Sequence, residues 1–252
     1  MHRVHIILGG FVVVSLAVGG SFVTSTWVAS RAYLKRGGQQ EKGTRTLDVT
    51  GSARKLIVSD LAIWTIRIGG EGKTIEDAYQ KMSASGDKVR EFLSQKGVPA
   101  DAVKSGPIRT ETHYRKDEKG NSTREITSHE LSRAFEIRTS EVRLVEKASG
   151  EVTEILRTGA HVESLAPDFV YTKLSDLKIA MIGEATRNAR ERAEQIAAGS
   201  GCRIGSVKDA RAGVLQVTRP WSTETTSSGA NDTSSVEKDV MSVVHLTLTI
   251  DR

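Results

Sequence analysis

One long amphipathic helix constrains the fold of this chain more than any other feature. In residues 174–204, small and apolar side chains recur three to four positions apart, which is the spacing of one helix face. They are Ile182, Ala185, Ala189, Ala193 and Ile196 or Ala197. We expect Ser175 or Asp176 to cap the start of the helix, and Gly199 and Gly201 to end it. Because this face is mostly alanine, the helix is expected to lie close against a sheet.

The rest of the chain alternates between strand-like and helix-like patterns. Strands are predicted at residues 46–52, 59–68, 103–112, 126–139, 161–173, 203–210 and 239–251, and two more helices at 74–96 and 142–158. The resulting order, β-β-α-β-β-α-β-α-β-β, indicates an α+β domain in which about three helices cover an antiparallel or mixed sheet. Residues 220–238 are rich in Ser, Thr and Gly, and a long mobile loop is predicted there.

Several segments carry more detailed predictions. Segment 59–68 is apolar on both faces until Arg67, which is typical of a central strand. Strand 161–173 should kink near Pro167, and residues 115–123 should form a polar hairpin tip. In helix 74–96 we expect Thr74 to cap the N-terminus. Its inner face is predicted to consist of Ile75, Ala78, Met82, Val89 and Phe92.

The N-terminal segment predicts a membrane anchor. Residues 6–30 contain no Lys, Arg, Asp or Glu, and about 20 mainly apolar residues suffice to cross a bilayer as a helix. The run is longer than the core of a cleaved signal peptide and lacks a clean A-x-A ending, so we favour an uncleaved signal anchor over a cleaved peptide. Residues 1–5 then form a short leading segment, residues 31–45 a linker, and residues 46–252 the soluble domain. The basic residues after the anchor oppose translocation of the domain by the positive-inside rule.

Composition and cysteine usage argue against several function classes. The 36 Lys and Arg outnumber the 31 Asp and Glu by only five, and they form no basic stripe with interleaved aromatics, so no nucleic-acid partner is expected. Cys202 is the only cysteine, which excludes an intrachain disulfide and a cysteine-based metal site. None of the six histidines has a second ligand at a zinc-like helical spacing, and HExxH is absent.

The sequence GGEGKT at residues 69–74 superficially looks like a phosphate-binding loop that precedes a helix. The P-loop motif requires G-x-x-x-x-G-K-[ST], and Arg67 occupies the place of its first glycine. We therefore interpret the stretch as a strand-to-helix turn. We nominate no catalytic, cofactor-binding or metal-binding residue, and no cofactor.

Two stretches carry a resemblance to a known family. Residues 49–66, VTGSARKLIVSDLAIWTI, contain a V-x-G segment and an acid before an apolar strand, and residues 174–207 contain the alanine-periodic helix and a G-x-V strand. Both resemble the SIMPL-domain family, which includes bacterial periplasmic or outer-membrane immunogens described as channel-forming. The resemblance covers roughly residues 46–251. It implies an α+β domain, a cell-envelope setting and self-assembly into large ring-like oligomers, and it transfers no catalytic residues.

Three function classes are left open. The first is a non-enzymatic protein of the bacterial inner membrane, anchored by one pass through residues 6–30, whose periplasmic domain assembles into a ring- or cage-like homo-oligomer that serves as a scaffold or channel. The second is a periplasmic binding module that contacts an envelope ligand or protein partner through residues 220–238. The third, ranked last, is an enzyme with a scattered site. The charged face of the long helix, residues 187–194, is either a surface between subunits or solvated helix surface.

Overall fold

The computed structural model describes residues 45–251, which form nine strands and four α-helices and confirm an α+β domain. The strands are β1 Thr46–Val58, β2 Leu61–Gly72, β3 Val103–Lys116, β4 Ser122–Thr139, β5 Val162–Ser164, β6 Asp168–Val170, β7 Arg203–Ala212, β8 Gln216–Thr218 and β9 Glu237–Asp251. The helices are α1 Ile75–Gln95, α2 Val142–Gly150, α3 Thr153–Leu156 and α4 Leu174–Gly199.

The predicted membrane anchor at residues 6–30 lies outside the described residues, as do residues 1–5 and nearly all of the predicted linker. Within residues 45–251, no helix has both the length and the apolar character needed to cross a membrane.

The strands form two sheets, whereas one covered sheet was expected. In sheet A, β9 pairs with β1, β7 and β8; in sheet B, β4 lies between β3 and β2, and β5 and β6 also pair with β2. Strand β2 therefore has partners on both sides, as predicted for a central strand. Sheet B is built from residues 61–170, whereas sheet A combines β1 with strands that follow α4. Two hydrophobic cores result, because each sheet buries one face under its own helices.

Helix α4 covers sheet A through the predicted alanine stripe. Ala185, Ala189 and Ala193 are fully buried. The next buried member is Ala197, four residues after Ala193, whereas Ile196 is 51% exposed. The stripe is therefore a strict four-residue repeat of methyl groups, which keeps the helix axis near the sheet.

The close contact between α4 and β1 is centred on Gly51. A Cβ atom at this position would lie 2.6 Å from the Cβ of Ala189 and nearer still to the helix backbone, so only glycine permits the observed distance. The side chain of Asn188 accepts a hydrogen bond from the β1 backbone at 3.2 Å, and Arg192 donates one to it at 3.0 Å. These bonds flank Gly51 and fix the helix on the strand.

Sheet B packs against α1, α2 and α3 around two fully buried aromatic side chains, Trp64 and Phe135. Helix α1 crosses β2 at Gly70, where a Cβ atom would collide with the helix backbone. Thr74 caps α1 as predicted, because its hydroxyl accepts a hydrogen bond from the N–H of Asp77 at 3.1 Å. Both sheets thus place a strand glycine directly beneath a helix.

Three helix predictions were wrong in detail. Ile75 is 53% exposed, because it lies in the first turn of α1 beside the chain reversal after β2; the other four predicted inner residues are buried. Helix α4 begins at Leu174 without a side-chain cap, so the predicted caps, Ser175 and Asp176, lie inside it. The helix expected at residues 142–158 divides into α2 and α3 after Gly150, and Lys96 bridges the division through ion pairs with two glutamates of this segment.

The strand expected at residues 161–173 is also divided. Strands β5 and β6 have three residues each, and both pair with β2, at Ile66–Ile68 and Leu61–Ile63 respectively. Pro167 lies between them and has no N–H to donate to a ladder, so the predicted kink is a complete interruption.

Residues 220–238 contain no helix, and only their last two residues belong to a strand, β9. The second half of the segment is nevertheless bonded into the domain. Val236 is buried in the core of sheet B, and its carbonyl accepts a hydrogen bond from the N–H of Ser59 at 2.9 Å. The carbonyl of Thr233 accepts one from Phe169 at 2.7 Å. The segment therefore links the two cores; its mobility stays a prediction.

Candidate functional site

Three histidines in the sheets each contact a polar side chain on a neighbouring strand. His113 lies 3.1 Å from Glu130, His129 lies 3.2 Å from the hydroxyl of Thr112, and His245 lies 2.9 Å from that of Thr50. Within residues 45–251, no group of three or more His, Cys, Asp or Glu side chains is arranged to hold a metal ion. These histidines therefore have structural partners that account for them.

The stretch that looks like a phosphate loop is mostly strand. Gly69 to Gly72 belong to β2, and the turn into α1 contains only Lys73 and Thr74. The hydroxyl of Thr74 already caps the helix, and Gly70 and Gly72 provide room for α1 to cross the sheet. Cys202, half-buried, follows the end of α4, where its N–H donates to the carbonyl of Ala197 at 2.8 Å. Both features are therefore accounted for by contacts within the domain.

The most unusual charged group is the buried Lys238 at the start of β9. Its side chain is 2% exposed, and its Nζ donates to the carbonyls of Asp232 and Ser235 at 2.6 and 2.7 Å. Burial lowers the pKa of Lys238, while the charge of Asp232 opposes this. The carboxylate of Asp232 lies 3.6 Å from the ammonium group. Lys238 thus holds the preceding turn in place from inside the domain.

A second charged group lies on the opposite face of β9. Asp239 is 3% exposed and pairs with Arg54, and this contact raises the pKa of the guanidinium. The guanidinium also lies 5.9 Å from the ring centre of Trp221, which is within cation–π range. Trp221 is 80% exposed and has a φ of +65°, a left-handed conformation that is uncommon for a tryptophan. Beside it, residues 217–234 enclose a polar depression of about 440 Å³.

Acid is expected to destabilise the domain through Asp232, whose side chain is 15% exposed. Burial raises the pKa of this carboxyl group, but hydrogen bonds from Ser235 and Ser234 and the charge of Lys238 outweigh it and lower the pKa from 3.8 to about 2. The stabilisation is therefore complete above the unfolded-state pKa and is lost as the pH falls towards about 2. Between about pH 5 and pH 2, the wild type should lose roughly 2 kcal/mol more unfolding free energy than Asp232→Asn, measured by urea unfolding. Equal acid sensitivity of the two proteins would contradict this assignment.

The outer part of the β3–β4 hairpin is at least partly exposed along its whole length. No residue from 107 to 128, here called the hairpin arm, is buried. Tyr114 and Ile126 are directly paired across the two strands and are 46% and 50% exposed. At the predicted tip, the Asp117 carboxylate accepts backbone hydrogen bonds at 2.8 and 2.9 Å, and the bond from Asn121 contributes most to lowering its pKa. The arm is therefore a well-formed hairpin that leaves an apolar pair uncovered.

The charged face of α4 is mostly occupied by contacts within the chain. Asn188 and Arg192 bond the backbone of β1, and Arg190 pairs with Glu194 at 3.1 Å on the helix itself. As a surface between subunits, residues 187–194 are therefore less suitable than the hairpin arm.

Sequence reasoning did not identify the groups around Lys238 and Trp221 as a site. Both lie in or beside a segment whose Ser, Thr and Gly content indicated a loop, and a lysine there is normally solvated. The only available signal was the abrupt change from this polar segment to the alternating strand β9, which begins at Glu237.

Comparison with known proteins identifies a family for this chain. The family model SIMPL, described as a protein of unknown function (DUF541), matches residues 47–248, which include nearly all of both sheets and all four helices of the described chain. No curated protein matches the sequence. Because this one model spans most of the chain, the protein belongs to the SIMPL family of proteins of unknown function.

Proposed function

We propose that this protein is a non-enzymatic component of the bacterial cell envelope whose SIMPL domain self-associates into a large ring- or cage-like oligomer, as a scaffold or channel. Residues 6–30 anchor it in the inner membrane by a single pass, and the domain lies in the periplasm. The apolar, uncharged character of residues 6–30 and the resemblance to envelope proteins support the anchor and its setting.

The hairpin arm is the observation that carries the proposal of self-association. It has unpaired backbone groups along the outer edge of β3, and the exposed Tyr114–Ile126 pair lies on the same element. An edge strand of this length is a template for pairing with another chain, and the charged side chains that it carries, such as Arg109 and Glu111, restrict that pairing to a partner of complementary charge. Pro107 interrupts the edge only at its base. A second copy of this chain is a binding partner that is present wherever the protein is made.

The full chain, expressed in bacterial cells, should be recovered with the inner membrane and should remain oligomeric after extraction in mild detergent. Size-exclusion chromatography with light scattering should give a protein mass several times that of the 27.3 kDa chain. Tyr114→Ser with Ile126→Ser should shift the mass towards the monomer, because it removes the exposed apolar pair without touching a core. A wild-type chain that stays monomeric at high concentration would exclude self-association, and recovery in the soluble fraction would exclude the anchor.

A further inference from the structure

The outer face of sheet B has an ordered arrangement of charge. Strands β2 and β3 pair with β4 at the same residues, so side chains from three strands form rows across the sheet. Glu71, Glu130 and Glu111 are directly opposed and form one row. The row next to it contains Arg109, and the one after that contains Arg67. Directly opposed residues lie on the same side of a sheet, so negative and positive rows are neighbours on one face.

This face is the one that the helices leave uncovered. Trp64, Ile66 and Ile68 of β2 alternate with Arg67 and face the core that α1, α2 and α3 cover. Because side chains alternate along a strand, the rows of charge point to the other side, where the side chain of Arg67 is 54% exposed. The face is continuous with the hairpin arm, since β3 and β4 form both.

The positive end of the face is concave. A depression of about 600 Å³ lies there between Arg67 and Arg109, and the small side chains of Ser132 and Ala134 contribute to its lining. Arg67 has a solvent-exposed partner, Glu163, at 3.2 Å. Within residues 45–251, Arg109 and Glu111 form no ion pair. The face therefore has charge of both signs that the chain itself does not neutralise.

We infer that a second copy of this chain docks on the outer face of sheet B by a two-fold rotation, an inference that rests on the proposed self-association and specifies its surface. The rotation axis lies in the plane of the face. It runs perpendicular to the strands, between the row that contains Glu111 and the row that contains Arg109. A rotation of 180° about this axis exchanges the positions of the two rows. It places Arg109 of one copy over Glu111 of the other, and Glu111 over Arg109. The glutamate row of each copy then faces the concave, positive end of its partner.

Such an interface is isologous, because the same patch serves both copies, so it joins the subunits in pairs; the edge of the hairpin arm then supplies the second contact that a larger ring requires. Complementary charge at an interface mainly selects the partner and fixes the register. The two groups to test are Arg109 and Glu111, since both are exposed and neither substitution removes an ion pair within the described residues. The other charges that face them are Arg67, Glu71 and Glu130, with His113 on Glu130.

The test reverses the charge of single side chains in the full-length protein. Association in mild detergent is measured by light scattering over a range of protein concentrations. Arg109→Glu and Glu111→Arg, each alone, place like charges opposite each other twice per interface and should weaken self-association at least tenfold. An equimolar mixture of the two variants should associate as the wild type does, because each then meets its complement. The double variant R109E/E111R should associate as well. Lys208→Glu, an exposed charge reversal on sheet A, is the matched control and should change nothing.

The possible outcomes separate the two proposals. If the wild type associates and both single variants associate equally well, this surface is wrong and self-association through another surface stands. If the single variants weaken association but neither their mixture nor the double variant restores it, the two-fold pairing of Arg109 with Glu111 is wrong. A monomeric wild type overturns both proposals. Melting curves from tryptophan fluorescence identify any variant that has unfolded. In that case R109Q and E111Q replace the charge reversals, and each is expected to associate more weakly than the wild type.

Discussion

Gly51→Ala is expected to lower the free energy of unfolding by about 3 kcal/mol or more. The added methyl group would lie 2.6 Å from the Cβ of Ala189 and still nearer to the backbone of α4, so the helix has to move away from β1. That movement would also stretch the hydrogen bond that Asn188 accepts from Ser52 and the one that Arg192 donates to Thr50, on either side of Gly51. Thermal unfolding of the full chain should show a midpoint lowered by about 6–12 °C.

Gly183→Ala is the matched control for this prediction. Gly183 lies in α4 itself and is exposed, and apart from its own turn of the helix no atom lies within 4 Å of the place that a Cβ atom would occupy. Alanine in an exposed helix interior should leave the stability unchanged or raise it by up to about 1 kcal/mol. If Gly51→Ala were as stable as the wild type, α4 would not lie against β1 at the distance described.

Lys238→Ala is expected to lower the free energy of unfolding by about 3 kcal/mol. The substitution removes both hydrogen bonds from the ammonium group and leaves the carbonyls of Asp232 and Ser235 without the donor that the buried side chain provides. It also removes the aliphatic part of the side chain from the interior. The turn before β9 should loosen first, so hydrogen exchange at residues 231–236 should accelerate more than exchange in sheet A.

Lys208→Ala provides the comparison, because Lys208 is an exposed lysine on β7 of the same sheet. A substitution at such a surface position usually changes stability by less than about 0.5 kcal/mol. Lys238→Met should be intermediate, since methionine refills the volume but cannot donate hydrogen bonds. Equal melting midpoints for Lys238→Ala and Lys208→Ala would show that the buried ammonium group is not stabilising.

The local patterns of this chain were predictable from the sequence, whereas their assembly was not. The four-residue spacing of Ala185, Ala189 and Ala193 specified α4 and its buried face, and apolar character on both faces identified β2 as a central strand. Alternation along a strand tells which side chains face a core, but not which strands pair. The division into two sheets depends on pairings such as Trp64 with Ile137, which are far apart in the chain.

The candidate surfaces were harder to predict for the same reason. Arg109 and Glu111 are two residues apart on one strand, so their common face follows from the sequence alone. The row of Glu111 is completed by Glu130 and Glu71, and the register that aligns these three residues is set by the pairing of three strands. The burial of Lys238 likewise depends on two carbonyl groups that a turn brings together. Neither arrangement leaves a local pattern.

Sheet A joins the two ends of the described chain, and this has a consequence for the order of folding. Strand β1 ends at Val58 and its neighbour β9 begins at Glu237, about 180 residues later. Sheet B lies entirely between them, so it is complete in the growing chain while β1 still lacks its partner. At about 5–20 residues per second, the ribosome needs roughly 10–40 s to supply β9. During that time β1 is an unpaired strand edge. It is therefore the segment to which a chaperone that binds unfolded chains is expected to attach.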